Sequence, residues 1–400
     1  MPNAPFPPLE IAVTGIGLIS ALGESLEATW LRLLAGDSAI SLQQPFPELE
    51  PRPLAPIGSI PASVKNLATL AAKTAIKDAG LKLPLPDFGV AIGSSRGSQG
   101  YWEEVGQLYQ KQENNLGEES LPEQLLWLDN LPNAGAIAVA RLVGATGPVL
   151  APMGACATGI WAIARACELI ETGECFCAIA GAVEAPITPL TLAGFRQMRA
   201  LAKTGCYPFD RRREGLVLGE GGAIFVLESA ELAKSRSARV YGHIKGFAFT
   251  ADAYHGNVPE PAGKAALTAI RQCLDRSHLS TKDIDYIHAH GTSTKLNDRS
   301  EAHLIQMLFP QGVPLSSTKG ATGHTLGASG ALGAAFCLMA LQDGILPPCV
   351  GCEEPEFDLD LVRVARRLAV RNALCLSFGF GGQNAAIALG RGRNFGLMIN

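Results

Sequence analysis

Apolar residues follow two rhythms along the chain, and each rhythm predicts one kind of element. Runs that are apolar at almost every position, such as residues 175–183, predict strands buried on both faces of a sheet. Stretches in which apolar residues recur three and four positions apart, such as residues 160–170, predict helices with one buried face. The sequence predicts strands at 9–13, 88–92, 175–183, 223–227, 286–289 and 314–317, and helices at 65–79, 133–142, 157–171, 264–279 and 330–341.

Turns rich in glycine follow two of the predicted strands. Residues 14–20 contain G-x-G after a strand, which resembles the start of a dinucleotide-binding fingerprint. The third glycine and the acidic residue of that fingerprint are missing, so a tight turn between a strand and a helix is the favoured interpretation. The polar turn at 93–97 is suited to cradling an anion, but it lacks the Lys-Ser/Thr pair of a P-loop.

Two stretches differ in composition from their neighbours. Residues 40–62 are rich in proline, which predicts a loop, and Ser63 and Gly80 are placed to cap and to end the helix that follows. Residues 100–130 are polar and acidic with three aromatic anchors, Trp102, Tyr109 and Trp127. This second stretch predicts a cap over a site or an interface.

The order of elements repeats along the chain. A helix, an aspartate, a strand and a glycine turn occur at 65–97 and again at 264–291. A strand, a turn of small residues and a helix occur at 147–171 and again at 314–341. We therefore predict an internal duplication into two α/β halves, 1–237 and 238–400, with residues at strand ends facing one shared site.

Composition and charge narrow the class of protein. With 47% hydrophobic and 18% charged residues in 400, the chain is globular rather than disordered. A net charge of −4 gives no general attraction for nucleic acid or an anionic membrane. No secretory signal, lipidation motif or apolar run of membrane-spanning length is recognised, so a cytoplasmic protein with free thiols is expected. The pairs Cys175/Cys177 and Cys349/Cys352 lack a second pair at zinc spacing, so no metal is expected.

Cys156 lies in the turn of small residues between a predicted strand and a predicted helix. The free N–H groups and the positive dipole end of a helix favour a thiolate over a thiol. Small neighbours leave room for a substrate to reach the sulfur. A buried structural cysteine is the usual fate of a free thiol, and the local pattern leaves both interpretations open.

Downstream features decide between these interpretations. His290 and His324 each follow a predicted strand and are bordered by glycine. In residues 377–384, SFGFGGQN, the glycines allow backbone N–H groups to converge as an oxyanion hole requires, although a glycine-rich turn filled by aromatic rings is the alternative. A cysteine, two histidines and converging amides suit acyl-thioester chemistry, in which the thiolate holds an acyl group and the imidazoles stabilise an enolate.

Seven motifs spread over almost the whole chain resemble one family. The motifs are GACATG around Cys156, GAVEAP at 181–186, PFDRRREGLVLGEG at 208–221, DAYH at 252–255, AHGTST at 289–294, STKGATGHTLGASGA at 317–331 and SFGFGGQN at 377–384. On these motifs the chain is similar to the β-ketoacyl-[acyl-carrier-protein] synthases of type I/II, the KAS II-like condensing enzymes. The resemblance implies an α/β thiolase fold, a duplicated five-layered α-β-α-β-α architecture.

The resemblance also implies roles for individual residues. Cys156 is implied as nucleophile, with Lys319 ordering the histidine pair. The amides of Cys156 and Phe380 are implied to form the oxyanion hole, with Phe380 as the gate. Further implied residues are Thr292, Thr294, Phe195, Phe378 and Gly382 for substrate binding, Asp298, Glu301 and Asn384 for the supporting network, and Arg199 and Lys65 for carrier-protein docking.

Partners and substrates follow from the same resemblance. No bound cofactor is implied, because the substrates, acyl and malonyl thioesters, arrive on the phosphopantetheine arm of acyl carrier protein. Family members are homodimers, and the resemblance implies pairing of the strand at 175–183 across the twofold axis. Three features depart from the family pattern. Gly333 replaces a glutamate of the polar network around the lysine. Lys65 is almost the only basic residue in a segment that is usually basic, and residues 100–130 do not match the family sequence.

The resemblance implies a 3-oxoacyl-[acyl-carrier-protein] synthase of fatty acid biosynthesis. The alternative is a specialised or weakly active ketosynthase, or a partner that sets chain length in a polyketide or glycolipid synthase complex. Such partners typically replace the nucleophile, which Cys156 retains, whereas Gly333 mildly favours them. A thiolase would need a second catalytic cysteine near Phe380, and a synthase of the initiating type would carry asparagine where His324 stands.

Overall fold

The computed structural model describes residues 10–58, 60–113 and 127–391. Its strands and helices alternate along the chain. The strands are β1 (Ile11–Ser20), β2 (Ser41–Gln43), β3 (Arg52–Leu54), β4 (Phe88–Gly93), β5 (Val149–Leu150), β6 (Cys177–Glu184), β7 (Gly221–Ser229), β8 (Gly242–Ala251), β9 (Tyr286–His288), β10 (Leu315–Ser316), β11 (Ile345–Leu346), β12 (Arg366–Arg367), β13 (Asn372–Gly379) and β14 (Gln383–Gly390). The helices are α1 (Leu26–Leu34), α2 (Val64–Asp78), α3 (Gln99–Glu113), α4 (Ala134–Val143), α5 (Thr158–Glu171), α6 (Pro189–Gln197), α7 (Ala230–Ser235), α8 (Lys264–Arg276), α9 (Lys295–Leu308), α10 (Lys319–Thr322) and α11 (Ser329–Asp343).

Ten of the strands form one sheet whose two sides repeat the same pattern. Outward from its centre, one side runs β1-β7-β6-β4-β5 and the other runs β8-β14-β13-β9-β10. On both sides the first two pairings are antiparallel and the last two are parallel. A short antiparallel contact between β1 and β8 joins the sides. The internal duplication is confirmed, whereas the boundary between 1–237 and 238–400 stays a prediction.

The layers follow from which helices cover which faces. Helices α5 and α11 contact each other and lie between the two sides of the sheet, where they form the central core with strand residues from both. Helices α2 and α4 pack on the outer face of the side of the sheet that contains β1. Helices α8 and α9 pack on the outer face of the side that contains β8. The predicted five-layered α-β-α-β-α thiolase fold is therefore confirmed.

The central helix α11 corrects one expectation. Residues Leu326–Asp343 are apolar and long enough to cross a membrane, so the expectation that no run reaches that length is wrong. The same segment is 89% buried inside the protein. Its apolar surface is already covered by the two sides of the sheet and by α5, as in a core helix.

The predicted turn at 14–20 is wrong, because β1 continues through Ser20. The glycines serve close packing instead of a turn. A Cβ atom on Gly17 would lie 1.8 Å from the carbonyl oxygen of Ala71, and one on Gly15 would lie 2.3 Å from that of Ala75. Glycine thus lets α2 approach the strand backbone directly. Ser63 caps α2 by accepting a hydrogen bond from the Asn66 N–H, as predicted.

Two connecting stretches differ from expectation in part. The proline-rich stretch contains a small hairpin of β2 and β3 rather than only a loop. In the polar stretch, α3 is fixed to the start of α6, because the Gln99 side chain donates to the hydroxyls of Thr188 and Thr191 at 3.0 Å each. The Trp102 indole N–H donates to the Asn130 carbonyl at 2.9 Å. Residues 114–126 lie outside the described residues, so the role of 100–130 as a cap stays a prediction.

The predicted pairing of the strand at 175–183 across a twofold axis is wrong. Strand β6 is hydrogen-bonded to β4 on one edge and to β7 on the other, so neither edge is free for another subunit. The end of this side of the sheet is β5, which pairs with β4 alone among the described strands.

Candidate active site

Cys156 lies in the tight turn that the sequence predicts between β5 and α5. Ala155, immediately before it, adopts a left-handed conformation with φ of 48°, which turns the chain sharply. Thr158 at the helix start accepts from the Gly154 N–H at 2.9 Å and donates to the Ala155 carbonyl at 2.7 Å. The side chain of Cys156 is buried. These hydrogen bonds therefore fix the backbone that carries the sulfur.

The end of β13 and the loop after it approach this turn from the other half of the protein. The Ser377 hydroxyl donates to the Cys156 carbonyl at 2.8 Å. A Cβ atom on Gly379 would lie 3.0 Å from the Cys156 nitrogen, so only glycine permits this approach. The backbone N–H of Phe380 donates to the Cys156 sulfur. One of the predicted amides, that of Phe380, is therefore directed at Cys156, and the complete oxyanion hole stays a prediction.

The two predicted histidines meet at the same sulfur. The Cys156 sulfur and a ring nitrogen from each of His290 and His324 all lie within 4.8 Å of one another. The imidazole rings are 5.4 Å apart between centroids and inclined by 81°, and both are buried. Phe378 packs edge-on against His290 at 5.9 Å. Residues about 130 and 170 positions apart in sequence thus form one cluster.

Lys319 and Glu301 hold the backbone that carries His290. The Lys319 ammonium donates to the His290 carbonyl oxygen. The Glu301 carboxylate accepts from the N–H groups of His290 at 2.6 Å and Gly291 at 2.7 Å. All of these groups are buried. Both residues therefore act on the histidine through its main chain rather than through its ring.

Burial controls the protonation states in this cluster. It raises the pKa of Cys156 to about 11, although the nearby Lys319 charge and the Phe380 amide act in the opposite direction. The group is therefore a thiol at neutral pH, and the thiolate expected from the helix dipole is wrong, because burial of the sulfur outweighs the groups that favour its charge. Burial, and secondly the Lys319 charge, holds the pKa of His290 and His324 well below the usual histidine range, so both imidazoles are neutral.

The donor set of Cys156, His290 and His324 is one that a zinc ion uses elsewhere. The electrostatics do not fit a dication, because the Lys319 charge acts on the sulfur and on both rings and would repel it. The residues present suit an anionic intermediate better than a metal.

A cavity of about 350 Å³ leads from the surface to the cluster. Of the predicted substrate and network residues, it is lined by Thr292, Thr294, Phe378, Phe380, Gly382, Asn384 and Arg199. The sequence predicted no role for several further lining residues, namely Met198, Asn257, Val258, Pro259 and Leu296. They carry no sequence signal beyond their place beside the motifs, since loops far apart in the chain bring them together.

The remaining predicted residues lie near the cavity or apart from it. Phe195 is buried against the Phe380 ring, with centroids 5.9 Å apart. Asp298 accepts from the Phe209 N–H at 2.9 Å and does not line the cavity. Asn384 donates to Asp252 at 2.7 Å and thereby anchors the glycine loop. Lys65, at the start of α2, does not line the cavity.

Glu184 is a buried residue whose structural role the sequence did not reveal. The turn at 93–97, predicted to suit an anion, wraps around this carboxylate of the same chain. Glu184 accepts from the Ser94 hydroxyl at 2.6 Å, from the N–H and hydroxyl of Ser95 at 2.7 and 2.6 Å, and from the Arg96 N–H at 3.1 Å. It also accepts from the Gly327 N–H at 3.0 Å, three residues after His324. The carboxylate therefore ties both halves together beneath the site.

We expect Glu184→Ala to lower the free energy of unfolding by about 1–3 kcal/mol, because the buried Gly327 N–H loses its acceptor while the more exposed donors of the turn can bind water instead. Urea unfolding measures this change. The control Glu24→Ala, at an exposed glutamate, should change stability by less than about 0.5 kcal/mol. Equal unfolding curves for the two variants would contradict the assigned role of the carboxylate.

Most of the chain matches the sequences of known protein families. Residues 62–233 match the beta-ketoacyl synthase N-terminal domain, and residues 241–353 match the beta-ketoacyl synthase C-terminal domain. The 3-oxoacyl-[acyl-carrier-protein] synthase 2 of Staphylococcus aureus (strain MRSA252) is 33% identical, over 95% of this chain and 97% of its own length.

Solved structures agree with this match. A beta-ketoacyl synthase from Burkholderia phymatum superposes with a TM-score of 0.87 at 27% identity, over 96% of this chain and 100% of its own. A type II PKS acyl-carrier protein in complex with its ketosynthase bound to the hexaketide gives a TM-score of 0.89 at 28% identity, with the same coverage.

Proposed function

Since the chain belongs to the beta-ketoacyl synthase family, and so is an acyltransferase of the 3-oxoacyl-[acyl-carrier-protein] synthase class, we propose that Cys156 carries the acyl chain during the condensation. One observation supports this assignment above the others. The Cys156 sulfur, His290 and His324 lie within 4.8 Å of one another, and the Phe380 amide points at the sulfur. The arrangement supplies a nucleophile, two neutral imidazoles and an oxyanion hole at one place.

In the first half-reaction the Cys156 thiol attacks the carbonyl carbon of an acyl thioester. Because the pKa of this thiol is raised to about 11, its proton must pass to a base during attack, and a neutral imidazole of the pair is within reach. The oxyanion is stabilised by the N–H groups of Cys156 and Phe380. The bond to the carrier thiol then breaks, the carrier sulfur takes the proton, and the acyl group remains on Cys156.

In the second half-reaction a malonyl thioester loses carbon dioxide. The bond between its α-carbon and the carboxylate breaks, and the electron pair forms an enolate. His290 and His324 are neutral and can donate N–H hydrogen bonds to the enolate oxygen as charge develops there. Lys319 and Glu301 keep the His290 backbone in place, and the Lys319 ammonium adds a nearby positive charge.

Carbon–carbon bond formation completes the cycle. The enolate carbon attacks the acyl carbon on Cys156, and the same two amides stabilise the second oxyanion. The carbon–sulfur bond breaks, so the sulfur leaves as thiolate and regains a proton. The product is a 3-oxoacyl thioester on the carrier, two carbons longer than the acyl chain that entered.

The cavity and its mouth fit the arm that delivers both substrates. The substrates are carried on acyl carrier protein through phosphopantetheine, and no bound cofactor is proposed. The hydroxyls of Thr292 and Thr294, 2.9 Å apart on the cavity wall, are placed to bind the amides of this arm. The exposed Arg199 at the rim is a docking residue for the acidic carrier. Lys65 lies away from this rim, and we propose only a secondary contact for it.

We also propose a homodimer in the cytoplasm. The twofold axis is assigned to the outer edge of β5, because this edge has no partner among the described strands. A large apolar side chain is exposed next to this strand, since Met153, three residues after β5, is 70% exposed. Pairing of two copies there would cover apolar surface of the kind that marks interfaces.

Two pathways are compatible with the site. The first is elongation in fatty acid biosynthesis. The second is a specialised ketosynthase, or a weakly active or chain-length-setting partner, of a polyketide or glycolipid complex, which Gly333 and the resemblance to a type II PKS ketosynthase favour. Retention of the complete cluster supports an active enzyme in either pathway.

We expect the protein, incubated with acyl-carriers of several lengths and malonyl-carrier, to form both acyl-Cys156 and a 3-oxoacyl product. Mass spectrometry follows the acyl-enzyme and the product in the same samples, and the chain length with the highest kcat/KM distinguishes the pathways. Omitting malonyl-carrier is the control, and should leave acyl-Cys156 without product. Acylation without condensation in the complete mixture would identify a partner without synthase activity.

A further inference from the structure

The space beside Gly333 on α11 is occupied by a histidine and a cysteine. A Cβ atom on Gly333 would lie 2.6 Å from the Nδ1 atom of His288 and 2.8 Å from the sulfur of Cys375. Both side chains are buried, and their Nδ1 and sulfur atoms are 3.9 Å apart. A glutamate at position 333 would therefore collide with the imidazole and the thiol. Only glycine fits at position 333 beside this pair. The glutamate of the family pattern is therefore absent where His288 and Cys375 fill the space that it would need.

This pair is connected to the active-site lysine. The Nε2 atom of His288 is 3.1 Å from the hydroxyl of Thr318. Thr318 immediately precedes Lys319, whose ammonium holds the His290 carbonyl. On the other side, Cys375 lies on β13, two residues before Ser377, which holds the Cys156 carbonyl. The pair thus contacts the two backbone segments that fix the nucleophile and the lysine.

Charge gives the pair a second connection to Lys319. Burial lowers the pKa of Lys319, while nearby acidic groups raise it. Hydrogen bonding from the Cys337 thiol, and then from His288, lowers the pKa of Cys375. The acidic groups that raise the pKa of Lys319 are Glu301, Cys156, Cys206 and Cys375. The titratable groups that interact with His288 are Cys375, Cys337 and the neighbouring His290.

We propose that His288 and Cys375 form a positioning pair that supports Lys319 in this chain, in place of a carboxylate at position 333. The imidazole fixes Thr318 through its Nε2 atom and hence the start of α10, and the Cys375 thiol contacts the Nδ1 atom on the other side of the ring. This inference rests on the proposed function, because Lys319 matters only if His290 stabilises an enolate.

We expect His288→Ala to slow malonyl-carrier decarboxylation and condensation by about tenfold or more, because a misplaced His290 binds the enolate less well. Acylation of Cys156 should change by less than about twofold. His243→Ala, at a buried histidine on β8, is the matched control and should leave both rates unchanged. Equal rates in the two variants, both folded, would overturn the proposal.

Two variants separate positioning from space filling, and both carry His288→Ala and Cys375→Ala, because the two side chains together occupy the space beside position 333. Adding Gly333→Glu should restore decarboxylation, because it returns the carboxylate that the pair replaces. Adding Gly333→Leu fills the same space without charge, and should restore the unfolding midpoint but not the rate. Equal rescue of the rate by both would reduce the pair to packing and overturn the proposal.

A milder substitution keeps the test decisive if His288→Ala fails to fold. Cys375→Ser preserves volume and removes the acidic thiol, so the pKa of Lys319 should fall and the alkaline limit of the decarboxylation rate should move to lower pH. Cys273→Ser, in the core of α8, is the control with no expected shift. An unchanged pH profile for Cys375→Ser would count against the pair. Loss of condensation in the unmodified protein would instead refute the proposed function itself.

Discussion

Cys156→Ala is expected to abolish acyl transfer, with a loss of at least about a thousandfold in condensation. The reason is geometric, because the Phe380 amide and both imidazoles converge on this one sulfur among the described thiols. Decarboxylation of malonyl-carrier should persist, since the histidines and Lys319 remain in place. Mass spectrometry of the enzyme after incubation with acyl-carrier, together with release of carbon dioxide, measures the two steps separately.

A second cysteine provides the control for this experiment. Cys167 lies on α5, the same helix that follows Cys156, and is fully buried in the central core. Cys167→Ala should reduce stability modestly and leave acylation intact, because its thiol faces the core. Acylation of Cys156→Ala at the rate of Cys167→Ala would show that another residue carries the acyl group.

His324→Ala is expected to slow decarboxylation by about a hundredfold to a thousandfold, because one of two hydrogen-bond donors to the enolate is lost from a water-poor site. Acylation should fall much less, since His290 remains within reach of the sulfur. Single-turnover acylation and carbon dioxide release distinguish these effects. His303→Ala, at an exposed histidine on α9, is the control and should match the unmodified protein. A larger loss in acylation than in decarboxylation would contradict the assigned role.

The pH dependence follows from the same histidines. A free imidazole gains a proton as the pH falls through about 6.5 and then cannot remain a neutral donor. Burial and the Lys319 charge hold the pKa of both histidines well below that value. Both rings should therefore stay neutral as the pH falls from 7.5 to about 6, which NMR of the imidazole groups measures directly. The decarboxylation rate itself should decline in this range, because burial raises the pKa of Glu301 to about 7 and its protonation weakens the hold on His290. Protonation of either ring near pH 6.5 would show that the rings are solvated like free histidine.

Local patterns were sufficient for the elements that use one kind of packing. The apolar run that became β6 and the spaced apolar residues of α5 were predicted because full burial of a strand and burial of one helix face leave different rhythms. The glycines of β1 misled the prediction. They resemble a turn in sequence, but their function is to admit α2 at a backbone distance that no pattern within β1 records.

The site around Cys156 shows the same difference between what neighbours in sequence predict and what tertiary contacts decide. The sequence by itself determined the turn of small residues, the helix that follows it, the two histidines beside glycines and the motifs that identify the family, because each depends on neighbours in the chain. The predicted place of His324 after a strand is wrong, because the short helix α10 lies between β10 and this histidine. Only the tertiary structure decided that the resting sulfur is a thiol, that the turn at 93–97 wraps Glu184, and that His288 and Cys375 occupy the space beside Gly333. Burial, charge and contact at these positions come from residues far apart in sequence, which meet only when the two halves of the sheet pack around α5 and α11.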